Sequence, residues 1–369
     1  MFYSIGVDIA KDDFKACILV YKPVEQMEKV VASRMFANTP GGINQFEQWV
    51  GKQVAKRPAP VRCTMEATGV YYERLALHIY HELSDWALCV VLPNQARKFN
   101  ESEGLKNKTD SIDAHGLSLM GARKKLAPWR GIKPFWSKLR QLTRTRSALV
   151  DQLTQLKNQL HALQHSGYTL EETIAILEDA VTGLQQQVNK LELLVTKHLA
   201  SDEAISKKLG YLKSIPSVGQ LTIATVLAET LGFEYFSSKS QLISYSGYDV
   251  RVIESGNYVG QRKISKMGNS RIRKAMYMPA GNILSRKVNP YYDYYNRLLN
   301  KHGIKMKAHV ALQKKILSCM YFLWKKNEPF DPQKALIAPT LKKVAPPKGE
   351  ATEDTSASQR EAVFFVVEN

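Results

Sequence analysis

Cysteine is scarce in this chain. Its four cysteines, Cys17, Cys63, Cys89 and Cys319, form no Cys-x-x-Cys pair, and all lie in apolar runs. That excludes a disulfide-stapled secreted fold and argues against a zinc site, leaving buried, reduced thiols as the expectation. Long hydrophobic runs are also missing, so no membrane-spanning helix is expected. The opening MFYSIGVDIAKDDF has neither a basic n-region nor a cleavage site, so it does not read as a signal peptide. A cytoplasmic location is the expectation. No internal repeat is visible, which excludes solenoid architectures. Acids are in short supply: 34 Asp and Glu stand against 52 Lys and Arg, for a formal charge of +18. Such a surplus favours a polyanionic partner, of which nucleic acid is the usual one.

What is present suffices for two or three domains with cores of their own, with 369 residues and 44% hydrophobic content. FYSIGVDI, KACILV and VVASRMFA are three β-rich runs in close succession. A helical stretch from Gly42 to about Val54 follows, then the strand candidate APVRCTME, the amphipathic YYERLALHIYHEL, the strand WALCVVL and a helix starting near Thr109. Three strands followed by alternating helix and strand suit a mixed sheet with helices on its faces, the order of a ribonuclease-H-like fold. This α/β domain is expected over residues 1–127. Pro128 and Pro134 interrupt the pattern. Leucine-spaced helices from Phe135 to about His165 and from Leu170 to Leu199, joined at Ser166–Gly167, predict a coiled-coil helical hairpin over 128–205 and a dimer contact. Residues 206–335 read as mostly helical. Within them, Pro216, Val218 and Gly219 mark a helix-hairpin-helix-like turn, of the kind whose backbone amides meet a phosphate. Residues 336–369, rich in Pro, Lys, Glu, Ser and Thr, read as a disordered tail.

Four carboxylates stand out. Asp8 ends the first strand, Glu66 ends the fourth strand candidate, and Asp110 and Asp113 share a helix face at i, i+3. Carboxylates at strand ends and a helix start can converge on a hard divalent ion such as magnesium, which suits phosphoryl transfer. Singly, each has a structural explanation: a strand-end cap, a bond to the following turn, or a helix N-cap. Together, at the ends of apolar strands, they point to solvent or a metal rather than the core.

The segment ISYSGYDVRVIESGNYVGQRKISKMGNSRIRKAMYMPAG is the other informative stretch. Arg262, Lys263, Lys266, Arg271, Arg273 and Lys274 crowd it without an acid among them, and Ser255–Gly256 lies just before them in an expected loop. These cations form a candidate nucleic-acid-binding surface. A serine hydroxyl attacking a phosphodiester needs activation and neighbouring cations to neutralise the pentavalent state. Ser-Gly pairs are most often plain turns. Ser265 and Ser270 compete within the same run, and chemistry alone does not choose Ser255 over them.

The motifs GVDIAKDDF, MEATGVYYE, KNKTDSIDA, IPSVGQLTIATVLAE, LISYSGYDV, ESGNYVGQRKISKMGNSRIRKAMY and NPYYDYYNRLL occur in this order across most of residues 3–325. In them the chain resembles the DEDD transposases of insertion sequences, RNA-guided serine recombinases to which pilin-gene invertases are related. The resemblance implies that Asp8, Glu66, Asp110 and Asp113 are the tetrad of a RuvC-like domain holding Mg2+. It implies that Ser255 links covalently to DNA, and that the tetrad of one protomer and the serine of another make one composite site. It further implies donor and target DNA, a structured non-coding guide RNA and a homo-oligomer, dimer to tetramer, as partners. Two other functions remain open: a metal-only, structure-specific nuclease resembling a junction resolvase, and a non-catalytic nucleic-acid scaffold. The first would leave no covalent protein–DNA link; the second would use the carboxylates only for structure.

Overall fold

The computed structural model describes residues 1–105, 109–255, 258–260 and 262–335. The chain divides into two compact units, Met1–Gly131 and a second that begins at Ile132. The expected tail over 336–369 lies outside the described residues.

The first unit is built on β1 (Phe2–Ile9), β2 (Asp13–Lys22), β3 (Met27–Ala37), β4 (Val61–Glu66) and β5 (Ala87–Val91), ordered β3-β2-β1-β4-β5. The first three strands form an antiparallel meander, and β4 and β5 run parallel to β1. Parallel pairing needs crossovers. α1 (Pro40–Val54) and α2 (Glu73–Glu82) supply them, and α3 (Pro93–Ser102) and α4 (Asp110–Arg123) follow. The expected mixed α/β sheet is present and is consistent with a ribonuclease-H-like domain. The sequence reading leaves 93–102 unassigned, although Pro93 at the first helical position is a start signal.

Alternation along β1 decides the layers. Tyr3, Ile5, Val7 and Ile9 are buried in a core shared with Ile43, Phe46 and Val50 of α1 and Leu75 and Ile79 of α2. The rings of Phe14, Phe36 and Phe46 meet there at 5.5–5.6 Å. The alternate positions of β1 are small because α4 lies against them. Ser4 Oγ donates to the Ser118 carbonyl at 2.6 Å. A β-carbon at Gly6 would overlap the Ala114 carbonyl and the Ser118 amide, so only glycine admits so close a helix.

The second unit is mostly helical. α5 (Pro134–Gln164) and α6 (Glu171–Ala200) form a hairpin of two long antiparallel helices, with His198 near the end of α6 hydrogen-bonded to the Phe135 carbonyl at 2.9 Å. Burial concentrates at its base, at Trp136, Leu139, Thr143, Val195 and Leu199. α7 (Glu203–Lys213) and α8 (Gln220–Thr230) make the expected helix–turn–helix. A β-carbon at Gly219 would meet open space and its φ is −75°, so this turn does not require a glycine there. Next come α9 (Lys239–Tyr245) and four two-residue strands, β6 (Val250–Arg251), β7 (Glu254–Ser255), β8 (Tyr258–Val259) and β9 (Lys263–Ile264). α10 (Ser270–Arg286), α11 (Tyr291–His302), α12 (Lys305–Lys326) and the short α13 (Pro332–Ala335) complete the unit. Ile223, Leu227, Phe233, Met276, Leu312 and Ile316 lie in its interior.

Cys17, Cys63 and Cys89 are buried and Cys319 half-buried, all as free thiols. Burial pushes their pKa values up, that of Cys89 to about 11, so none is a ready nucleophile. Among the described residues no helix is long and apolar enough to cross a membrane.

Candidate functional site

The carboxylate positions are set by the sheet. The parallel register pairs Val7 with Met65. Asp8 and Glu66 are therefore the next residues on adjoining strands, and parallel strands lie about 4.8 Å apart. Gly6 faces α4, and Thr64 lies against Gly121 of the same helix. By the two-residue period of a strand, Asp8 and Glu66 share that face. β1 runs from Ser4, beside Ser118, to Gly6, beside Ala114, so its end points toward the start of α4. Asp110 and Asp113 occupy the first turn of that helix. Neither is its N-cap: Thr109 is, with its hydroxyl accepting from the Ile112 amide at 3.3 Å. Acids in the first turn also suit the helix dipole. Residues 106–108 of the KNKTDSIDA motif lie outside the described residues.

Two further contacts shape this corner. Thr68 Oγ1 donates to Glu66 Oε1 at 3.5 Å, so Glu66 does meet the turn that follows it. Asn100 of α3, a residue the sequence reading missed, donates from Nδ2 to Asp113 Oδ1 at 3.2 Å. Gly116 makes room for it, since a β-carbon there would overlap the Asn100 side chain. The donor set is all oxygen, which in kind fits a hard divalent ion. Among the described residues, however, no three His, Cys, Asp or Glu side chains are gathered as a metal site. The fold makes the carboxylates neighbours without assembling them around a centre.

Ser255 lies in the second unit, on a strand rather than in the expected loop. Ser255 pairs with Tyr258 and Glu254 with Val259, while nearer the base Val250 pairs with Ile264 and Arg251 with Lys263. The two pairings make an exposed β-ribbon in which Ser255 is the last described residue before the chain returns. Gly256, its partner in the expected tight turn, lies outside the described residues. At the base, Ser265 Oγ donates to Asp249 Oδ1 at 2.6 Å and accepts from the Met267 amide at 3.2 Å. Ser265 is therefore occupied in holding the ribbon. Ser270 is the exposed first residue of α10, capped by Asn269.

The expected cationic run divides by what each residue touches. Arg273 donates to the carbonyls of Ser246 and Gly268, both at 3.0 Å, and so ties the turn after α9 to α10. Lys274 pairs with Asp151 of α5 at 2.6 Å, and Arg262 with Glu254 at 3.0 Å. Arg271 is half-buried on α10, and Lys263 and Lys266 are exposed. Beneath them is a buried polar network that the sequence reading missed. Glu229 of α8, 1% exposed, accepts from Arg144 Nε at 2.9 Å and Nη2 at 3.1 Å, and from Asn269 Nδ2 at 2.7 Å. Burial pushes this carboxyl up, but the bonds and charge of Arg144, with Asn269 and Arg140, outweigh it and hold the pKa below its ordinary value. Tyr245 donates to the Glu229 carbonyl at 2.8 Å, and burial raises its pKa to about 12. The network fixes the N-cap of α10 to the base of α5.

Carboxylates at the ends of central strands, followed by a helical unit with a basic ribbon, suit an enzyme that acts on DNA, and comparison with known proteins gives its class as a DNA recombinase or transposase. A DEDD-type transposase family model matches residues 5–166, and the model described as the transposase IS116/IS110/IS902 family matches residues 209–296. Together they match most of the chain, and the chain belongs to this family of insertion-sequence transposases. It is also similar to the pilin gene-inverting proteins of Moraxella bovis and Moraxella lacunata. Each is 26% identical over 331 residues, covering 89% of this chain and 97% of the relative.

Proposed function

We propose that this transposase cuts and rejoins DNA through a phosphoserine intermediate at Ser255, with Asp8, Glu66, Asp110 and Asp113 as its metal-binding carboxylates. The Ser255 hydroxyl oxygen attacks a phosphodiester: a serine–phosphorus bond forms, the bond to one deoxyribose oxygen breaks, and that oxygen leaves with the serine's proton. A strand-end hydroxyl then attacks the ester, restoring the phosphodiester and the free serine. The ester conserves the bond energy, so no nucleotide cofactor is needed. A divalent ion such as magnesium, held by the four carboxylates, would supply positive charge to a phosphate in flight. Lys263 and Lys266 hold phosphates near the ribbon; Arg262, Arg271, Arg273 and Lys274 do so by exchanging or sharing their present partners.

The observation that carries the reading is the adjacency of Asp8 and Glu66 at parallel strand ends, aimed at the acidic first turn of α4. The rest of the reading extends the family resemblance: a RuvC-like domain to about 127, a coiled-coil hairpin joining protomers to about 205, a serine domain to 335, a structured guide RNA and a cytoplasmic setting. DNA inversion is a second reading. It is favoured by the likeness to the pilin gene-inverting proteins over nearly their whole length, and it is the same chemistry on differently arranged sites. The test of the tetrad is recombination by Asp8→Ala and Asp113→Ala in magnesium. Both variants should fold and neither should yield product, because the ligand set would be incomplete. Full activity of either refutes the metal-site assignment.

A further inference from the structure

Between Asp293 and Glu328 the chain carries no acid at all. This stretch runs from the fourth residue of α11 through the turn and α12, and all but its first three residues lie beyond the span matched by the second family model. Arg297 and Lys301 stand one turn apart on α11, and Lys307 and Lys314 stand two turns apart on α12, so each pair shares a helix face. The two helices pack on one another, and α9 packs on α12. Lys239, the first residue of α9, is thereby brought within electrostatic reach of both Lys314 and Lys315, and Arg297 within reach of Lys315. Four cations from three helices therefore meet on one face of the second unit. Among the described residues, none of these four has a carboxylate within ion-pair distance; Asp249, which acts on Lys314, is bonded by Ser265, and Asp293 stands one turn before Arg297 on α11.

We propose that this face, formed by α11, α12 and Lys239 of α9, is a second nucleic-acid contact surface that grips the phosphate backbone of duplex DNA, built on elements other than the ribbon that carries Ser255. The proposal rests on the DNA-recombining reading of the chain. Like charges held together without counter-charge cost stability unless an anion joins them. Burial holds Lys314 and Lys315 below their ordinary pKa; Lys239 adds to this at both, and Cys319 works against it at Lys315. Duplex backbone is the occupant that the spread of cations along two helices favours, although Phe322 of α12 stays exposed. Two other rings are covered by cations: Arg297 lies over Tyr294 at 5.5 Å and Lys325 over Tyr321 at 5.9 Å. The length also fits: a helix the size of α12 spans about 33 Å, close to one turn of duplex.

The test is the salt dependence of binding to a labelled duplex of arbitrary sequence, read by fluorescence anisotropy. Each lost phosphate contact lowers the slope of log affinity against log salt by about 0.9. K239Q/K314Q/K315Q should flatten the slope by about two to three such units and melt no lower than the parent, because neutralisation removes repulsion. K301Q/K307Q changes two exposed residues that cannot upset the core, and should flatten it by one to two, at about 0.9 per contact. Unchanged slopes in both variants overturn the proposal. So does flattening seen with a structured RNA hairpin and not with the duplex, which would give the face to RNA. If the parent itself binds the duplex without salt dependence, the DNA-recombining reading fails along with it. If the parent slope is steep and the variants match it, only this face fails.

Discussion

Asp113 does not stand alone on its helix. Asn100 reaches it from α3, through space left by Gly116. Groups that orient a metal ligand typically matter by 10–100-fold, so Asn100→Ala should lower recombination by about that factor. It should also raise the magnesium needed for half-maximal rate, a change that a purely structural role would not produce. Parent-like rate and magnesium dependence would show that Asn100 serves packing alone. Glu229 makes a different residue-scale case. Removing one member of a buried ion pair costs about 3–5 kcal/mol, and Arg144 retains some access to water, so Glu229→Gln should cost about 3 kcal/mol in urea unfolding. The pH dependence follows from the lowered carboxyl. Its stabilisation is fully present above the ordinary value of 4.5 and is lost as pH falls through the lowered one. The parent should lose stability in that acidic window, and Glu229→Gln should lack that component. Identical pH profiles would contradict the assignment.

At the scale of elements, the hairpin is the part whose role most needs separating from its packing. Leu153 is 6% exposed within the chain, so a charge there would disrupt the hairpin itself. Ile176 and Leu193, 68% and 72% exposed, are the apolar positions left over for a partner. Ile176→Glu with Leu193→Glu should lower the mass seen by light scattering while leaving helix content unchanged. An unchanged mass would make the hairpin an internal element only. These helices were legible in the sequence because leucine spacing and Ser166–Gly167 mark both their faces and their ends. The sheet was legible for a similar reason: β1 and β4 are short runs with an acid at or next to the last position. α3 was not, because its run PNQARKFNES is polar and lacks a continuous apolar face. The ribbon was not either, because four two-residue strands carry no period. Nor were the partners of Arg273, Lys274 and Glu229, which come from residues 5 to 123 positions away and which no local pattern announces.

For the whole molecule, a charge of +18 suits an enzyme that acts on DNA, a polyanion far larger than its site. A hydrolytic nuclease would need the same charge and the same carboxylates. Only the serine separates strand exchange from hydrolysis, since a serine ester lets strands be rejoined and water does not. Ser265 and Ser270 sit at the base of the ribbon and at the start of α10, so Ser265→Ala and Ser270→Ala should retain some covalent product. The deciding measurement is to trap the chain on labelled cognate DNA with the proposed guide RNA, separate the products on a denaturing gel and map the peptide that carries the DNA. The adduct should map to Ser255, and Ser255→Ala should bind DNA and RNA yet give neither adduct nor recombinant. An adduct on another residue, or robust recombination by Ser255→Ala, would contradict it.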